Sequence, residues 1–164
     1  MKVESALDGG LSLGQRALDA LLIDMEAKAE GMATTLSLRP VRSQYQLLNE
    51  LRESASIQDA TLLSHTGRIM AVSSGDSSSF LPELPSLSEL RQARFDLVSK
   101  VEPIPDKGLY MRVLAPVQSQ ELTGDTFILQ LLQPVPKSLS NTAEAVQEVY
   151  RDYQELSYSR DSLK

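Results

Sequence analysis

The chain contains no cysteine, no tryptophan and one histidine, His65, among its 164 residues. Without cysteine there is no disulfide, no thiolate zinc site and no thiol nucleophile. A single histidine also removes the multi-histidine metal sites. The lack of cysteine fits either side of a bacterial membrane. No run approaches the ~18–20 apolar residues of a membrane span. The start, Met1-Lys2-Val3-Glu4, lacks the apolar core of a signal peptide.

An excess of positive charge is missing as well. Sixteen Lys and Arg face 22 Asp and Glu, for a net charge of −6 and a pI near 4.8. Such a surface does not suit nucleic acid or anionic lipid headgroups, although a local cationic pocket is compatible with it. What is present is ordinary for a folded domain: 41% apolar and 23% charged residues, enough to argue against global disorder. The length suffices for one domain with a core and is short for two.

Hydrophobic spacing predicts a long helix over 5–38. Leu7, Leu11, Gly14, Leu18, Leu21, Met25 and Met32 recur at steps of three, four or seven. Arg39-Pro40 breaks it, because the residue before proline is pushed out of the helical region. A short helix follows within 41–56, with Tyr45, Leu48 and Leu51 on one face. The period then shortens. Residues 59–65 and 68–73 read as strands joined by Thr66-Gly67 in a β-hairpin. Ser73 to Ser79 is a serine-rich loop, and Ser86 to Arg94 reads as a short helix. Three strands follow over 95–104, 108–117 and 126–133, separated by the turn signals Pro105-Asp106-Lys107-Gly108 and Thr123-Gly124-Asp125. Short turns imply antiparallel neighbours. A last helix is expected over 137–164, with Asn141 and Glu144 as a capping pair.

The expected fold is therefore a single α+β domain over 1–164. Its five-stranded antiparallel sheet region, 57–134, lies between helices rather than in a parallel nucleotide-binding sheet. The last helix repeats Leu139, Thr142, Val146, Val149, Tyr153, Leu156, Arg160 and Leu163 at heptad spacing, and no capping residue follows Lys164. That pattern predicts a fragment of a longer protein whose exit helix continues. The first helix, about 34 residues or roughly 50 Å, exceeds what a sheet of five short strands covers. A homodimer through Leu11, Leu18, Leu21, Met25, Val146, Val149 and Tyr153 is the expectation.

No catalytic set emerges. Ser64 and His65 are consecutive strand residues, which point to opposite faces and cannot form a nucleophile–base pair. The glycines form no dinucleotide fingerprint or phosphate loop, and the carboxylates lack calcium-loop spacing. No catalytic residue, metal ligand or cofactor site is assigned. Alternation over Gly108 to Ala115 places Leu109, Met111, Val113 and Ala115 on one face, toward the long helix, and Tyr110, Arg112 and Leu114 on the other. Gln130 interrupts the next apolar strand, and Arg91 and Arg94 lie on the short helix. Arg91, Arg94, Tyr110, Arg112 and Gln130 thus form a candidate ligand-binding set for a small anion or carboxylate. The alternative is that they solvate the sheet or pair with carboxylates such as Glu83 and Glu89.

Long helix, hairpin, meander and exit helix is the order of the PAS-like extracytoplasmic sensor domains called PDC or Cache domains. Val101-Glu102-Pro103, Gly108 to Leu114, Leu129 to Pro136 and Val149 to Leu156 resemble the periplasmic segment of NtrY-type nitrogen-regulation sensor histidine kinases of proteobacteria. The resemblance implies a periplasmic domain of an inner-membrane protein in a two-component system, lying between two transmembrane helices. Beyond the exit helix would follow a HAMP module, a PAS domain and the kinase core. ATP and Mg would belong to that core, and a cognate response regulator to the phosphorelay. None of the kinase motifs is in this sequence, so this segment is not expected to be an enzyme, and His65 is not the phosphoacceptor. The implied role is detection of a small molecule or environmental cue and its relay through the terminal helices. The rival is a sensor-like module that docks a periplasmic or membrane protein, with Leu81 to Leu87 in its surface.

Overall fold

The computed structural model describes residues 2–75, 82–119 and 124–139, with side chains from residue 13 onward except Val41. The predicted exit helix beyond Leu139, with Val146, Val149 and Tyr153, and the serine-rich stretch from residue 76 lie outside the described residues. So do Leu81 and the Thr123 turn signal.

Chain order is α1 (Lys2–Ser37), α2 (Val41–Ala55), β1 (Asp59–Ser64), β2 (Ile69–Ser74), α3 (Leu87–Ala93), β3 (Val98–Ile104), β4 (Gly108–Val117) and β5 (Phe127–Pro134). All pairings are antiparallel, and the strand order is β2-β1-β5-β4-β3. The last strand therefore inserts between the hairpin and the β3–β4 pair, which makes β5 central. Its residues 128–132 are all buried, as a strand covered on both faces requires.

α1 lies across β4, with contacts to β5 and β3, while α2 covers β2 and β1. On α1 the inward residues are Leu18, Met25, Ala29, Met32 and Leu36, which share one core with Met111, Val113, Ala115, Leu129 and Leu131. The predicted helix seam thus faces the chain's own sheet from Leu18 onward. Leu18 and Met25 are buried there and Leu21 is half-buried. This corrects the expectation that Leu18 and Met25 wait for a second subunit: their apolar surface is already covered. Leu11 lies on α1 before the described side chains.

On α2 the inward face is Gln44, Leu48 and Arg52, whereas Tyr45 is 44% exposed. The two polar ends of that face are bonded locally, with Gln44 Oε1 left buried without a partner among the described residues. Gln44 Nε2 donates to the Leu36 carbonyl at 2.9 Å, answering an orphan acceptor at the end of α1. Arg52 donates to Ser73 Oγ at 2.7 Å and to the Ile57 carbonyl at 3.0 Å. The β1–β2 connection is longer than two residues. The Ser64 amide bonds the Arg68 carbonyl at 2.8 Å, so His65, Thr66 and Gly67 form the loop. Gly67 closes it at φ +94°, a left-handed value that side chains resist. β3 begins at Val98, three residues later than expected. Pro116 in β4 consequently lies past the start of β3, where its missing N–H costs no ladder bond.

Candidate functional site

The face of the sheet away from α1 and α2 carries the polar residues. Strand alternation places Asp59 and Thr61 of β1, Gln130 and Leu132 of β5, and Tyr110 and Arg112 of β4 on it. Register aligns them in rows. Asp59 pairs with Ser74 on one side and Leu132 on the other; Thr61 pairs with Val72 and Gln130. Arg112 lies between Leu132 and Lys100.

α3 and the segment before it cover this face. Leu90 and Ala93 pack on Leu63, Leu114 and Ile128. Ser86 caps α3 reciprocally with Glu89: the Glu89 amide donates to Ser86 Oγ at 3.2 Å, and the Ser86 amide donates to Glu89 Oε1 at 3.1 Å. Gln130, 1% exposed, donates from Nε2 to the Glu83 carbonyl at 2.8 Å. That bond fixes the segment over the middle of the sheet.

A cleft remains between sheet and cover. Asp59, Thr61, Ser74, Tyr110 and Leu132 form its sheet side, Pro82 and Glu83 its cover, and Ile104 and Lys107 its end wall. It measures about 360 Å³ counting its open mouth, yet the space between its walls holds about one water. Ser74 Oγ donates to Asp59 Oδ1, and Gln58 Nε2 reaches Tyr110 Oη at 3.4 Å. Thr61 is 1% exposed, and two buried atoms of this face, Gln130 Oε1 and Arg112 Nε, have no hydrogen-bond partner among the described residues. Unpaired buried polar groups are rare in folded chains. A larger depression beside Phe95, on the helix side, is open to solvent, and its buried walls are only Ala33 and Ala115. Its polar lining residues, among them Glu30, Thr34, Asp96 and Gln118, are exposed to solvent.

Next to the cleft runs a line of alternating charges. Arg112 Nη2 lies 2.7 Å from Glu102 Oε1, Lys100 Nζ lies 2.8 Å from Glu102 Oε2, and the same Nζ lies 2.9 Å from Glu89 Oε2. The line ties β4 through β3 to α3. Burial raises the Glu89 carboxyl, but Lys100 and Ser86 outweigh it and hold it below its ordinary 4.5. Burial lowers the Lys100 ammonium, but Glu102 and Glu89 outweigh it and hold it above 10.5. Glu89, depressed on folding, adds stability that is present above pH 4.5 and lost as pH falls through its folded value. Lys100, raised on folding, adds stability that is present below pH 10.5 and lost as pH rises through its folded value. A melting series from pH 7 to 3 is expected to show a shallower acid limb for Glu89→Gln than for the parent. Parallel limbs would mean that Glu89 gains nothing from Lys100.

Of the five residues expected to form an anion pocket, Tyr110, Arg112 and Gln130 share this face, but only Tyr110 lines the cleft. Arg112 is 4% exposed and already neutralised by Glu102. Gln130 gives its Nε2 to the Glu83 carbonyl, and its buried Oε1 has no partner among the described residues. Arg91 and Arg94 are exposed, and Arg94 lies over the Phe95 ring at 5.7 Å. The expectation of a cationic pocket is corrected accordingly, because every arginine in the set is engaged elsewhere or faces solvent. Asp59, Thr61, Ser74 and Lys107 were not anticipated. The available signal was the pair Asp59 and Thr61, polar residues alternating with Ala60 and Leu62 on a strand paired on both sides. Among the described residues no group of three potential metal ligands occurs, and no helix is long and apolar enough to cross a membrane.

No protein-family model and no curated protein matches the chain. Solved structures do match in fold. The ligand-binding domain of the Campylobacter jejuni chemoreceptor Tlp3, in complex with L-valine, superposes with a TM-score of 0.57 at 14% identity, over 86% of this chain and 64% of that one. The sensor domain of the V. cholerae histidine kinase DctB superposes with a TM-score of 0.64 at 10% identity, over 87% of this chain and 61% of that one. An extracellular ligand binding receptor from Desulfohalobium retbaense gives a TM-score of 0.54 at 19% identity, over 80% of this chain and 25% of that one. This chain therefore has the fold of PDC/Cache-type sensor domains, and it spans about three-fifths of the Tlp3 and DctB domains.

Proposed function

We propose that the chain is an extracytoplasmic sensor domain that binds a small molecule in the cleft between the sheet and the 82–93 cover. The observation that carries this reading is the polar-lined cleft on the sheet face opposite the long helix, with Asp59, Thr61, Ser74 and Tyr110 on its sheet side and Pro82 and Glu83 over it. The fold supports it, since chemoreceptor and histidine-kinase sensor domains share it. In this reading the parent is an inner-membrane histidine kinase of the NtrY type, acting in nitrogen regulation. The chain itself is non-catalytic and periplasmic. ATP and Mg act in the parent's kinase core, which phosphorylates a cognate response regulator.

The cleft holds only about one water as it stands, so a ligand must displace Pro82 and Glu83 to enter. The Gln130–Glu83 bond and the Glu89–Lys100 pair resist that displacement. Occupied and empty states thus differ in the position of the cover, which gives a ligand the differential affinity that a switch requires. The parent acts as a homodimer through the terminal helices. With Leu18 and Met25 turned inward, the outward face of α1, with Leu13 at 68% and Ile23 at 65% exposure, is the surface left for a second copy.

A panel of small metabolites, screened by thermal unfolding, tests the reading. At least one is expected to raise the melting midpoint by about 5 °C near saturation, with the gain reduced in Thr61→Val. A panel without effect would sink it. Leu84 and Leu87, 50% and 66% exposed beside the cleft, would then favour the docking of a protein partner.

A further inference from the structure

We infer that the outer edge of β2 pairs with β2 of a second copy, as a twofold antiparallel strand pair flanked by the two α2 helices. The inference is independent of what the cleft binds. β2 and β3 are the two edges of the sheet, and their sequences differ in kind. β3 carries Lys100, Glu102 and Pro103, residue types with which native edges resist strand addition. β2, Ile69–Ser74, has neither charge nor proline. Its Ile69 is 38% exposed and its Val72 48%.

The ladder shows which backbone groups face outward. The Gly75 amide donates to the Gln58 carbonyl at 2.8 Å, and the pairs Ser73–Ala60 and Ala71–Leu62 continue that register. Bonded pairs recur at every second residue of an antiparallel ladder. Val72 therefore turns its N–H and C=O away from β1, and nothing bonds them among the described residues. A copy related by a twofold axis at Val72 would exchange both bonds, Val72 to Val72.

α2 decides what fits beside this edge. Asn49 Oδ1 accepts from Ser73 Oγ at 2.7 Å, so the Asn49 flank of α2 overlies β2. Arg42, Tyr45 and Glu53 lie seven, four and four residues from Asn49, which puts them on the same flank. All three are exposed, and Tyr45 adds apolar surface next to Val72 and Ile69. The other flank, with Leu47 and Leu51, packs into the core shared with α1. The strands that α2 covers are β2 and β1, and Arg52 anchors its last turn to Ser73 near the end of β2. Arg42 therefore lies toward the start of β2, as does the exposed Arg68, and Glu53 lies toward its end. Twofold pairing about Val72 sets the arginine end of each copy against the Glu53 end of the other. A parallel pairing would set like charge on like, and an uncharged peptide would leave both ends unanswered. The edge thus fits a second copy. It lies on the far side of α2 from α1, so Leu13 and Ile23 stay available for a separate contact.

Sedimentation equilibrium of the 164-residue chain from micromolar to millimolar concentration tests the pairing. A reversible dimer is expected. Val72→Lys is expected to weaken it roughly tenfold or more, because a charge then meets its own copy on the axis. Glu53→Arg is expected to weaken it by a few-fold to roughly tenfold, and adding Arg42→Glu to restore it to within about threefold of the parent. Both of those residues are exposed, so the swap serves even if Val72→Lys does not fold. A monomer at every concentration would overturn the inference. So would a monomer whose Val72 amide exchanges slowly, since the chain's own segment would then cover the edge. A dimer that survives Val72→Lys and Glu53→Arg but is lost in Ile23→Lys lies on α1, and it too overturns the pairing. Each of these results leaves the sensor reading intact, because none of them measures binding in the cleft.

Discussion

Replacing Glu102 with alanine is expected to destabilise the fold by about 3 kcal/mol, because it strands a buried arginine. Arg112 is 4% exposed and lies 2.7 Å from Glu102 in an ion pair; its Nε has no partner among the described residues. A guanidinium in that position cannot shed its proton, so the desolvation penalty stays once the carboxylate is gone. Lys100 loses one of its two carboxylates in the same step and keeps only Glu89. For a chain of this size the midpoint should fall by roughly 6–12 °C. The double variant Glu102→Leu/Arg112→Leu is expected to recover most of the loss, since two apolar side chains need no counter-charge in the same space. Urea unfolding of the parent, both single variants and the double variant closes the cycle. If the double variant loses the sum of the singles, the two side chains are not coupled and the pair is incidental.

The same pair explains why a set of arginines on a strand face and a neighbouring helix does not make an anion site here. Alternation placed Tyr110, Arg112 and Leu114 on one face correctly, because period two follows from the backbone alone. Alternation carries no information on which carboxylate reaches Arg112. Glu102 does so because β3 pairs with β4 in a register that sets Glu102 opposite Tyr110, one pleat from Arg112's partner Lys100. That register depends on where β3 starts, which the run 95–104 left open by three residues. Helix periodicity was legible in the same limited sense. The steps from Leu18 to Met32 identified an apolar stripe but not its partner, and that partner is the sheet. On α2 the inward positions 44 and 52 are polar, and their burial is visible only once Leu36, Ile57 and Ser73 surround them. The cleft was legible least, because Asp59 and Ser74 meet across one strand pair and Glu83 reaches them through a bond to Gln130. The insertion of β5 between β1 and β4 brings these together, and no short-range pattern specifies it.

Leu131 and Leu132 are adjacent in β5 and equally apolar, yet their replacement by alanine is expected to act differently. Leu131 is fully buried between the sheet and α1, in the core that holds Met25 and Ala29. Its truncation leaves a sealed apolar void, which water does not fill and neighbours only partly close. The expected loss is about 3 kcal/mol, with a midpoint lower by roughly 6–12 °C. Leu132 points to the other face, where it meets Ile104 and Tyr110 and forms part of the cleft wall. Space vacated there joins an opening that already reaches solvent, so the void can hydrate and the expected cost is about 1–2 kcal/mol. The functional consequence runs the opposite way. Leu131→Ala leaves the cleft walls untouched and should leave ligand affinity near that of the parent under conditions where the chain is folded. Leu132→Ala widens the cleft next to Asp59 and Tyr110 and should shift preference toward bulkier ligands. Unfolding curves and binding titrations of both variants decide the matter. Equal destabilisation by the two would show that the cleft face is packed as tightly as the helix face, and the cleft would then not be a place that opens to admit a ligand.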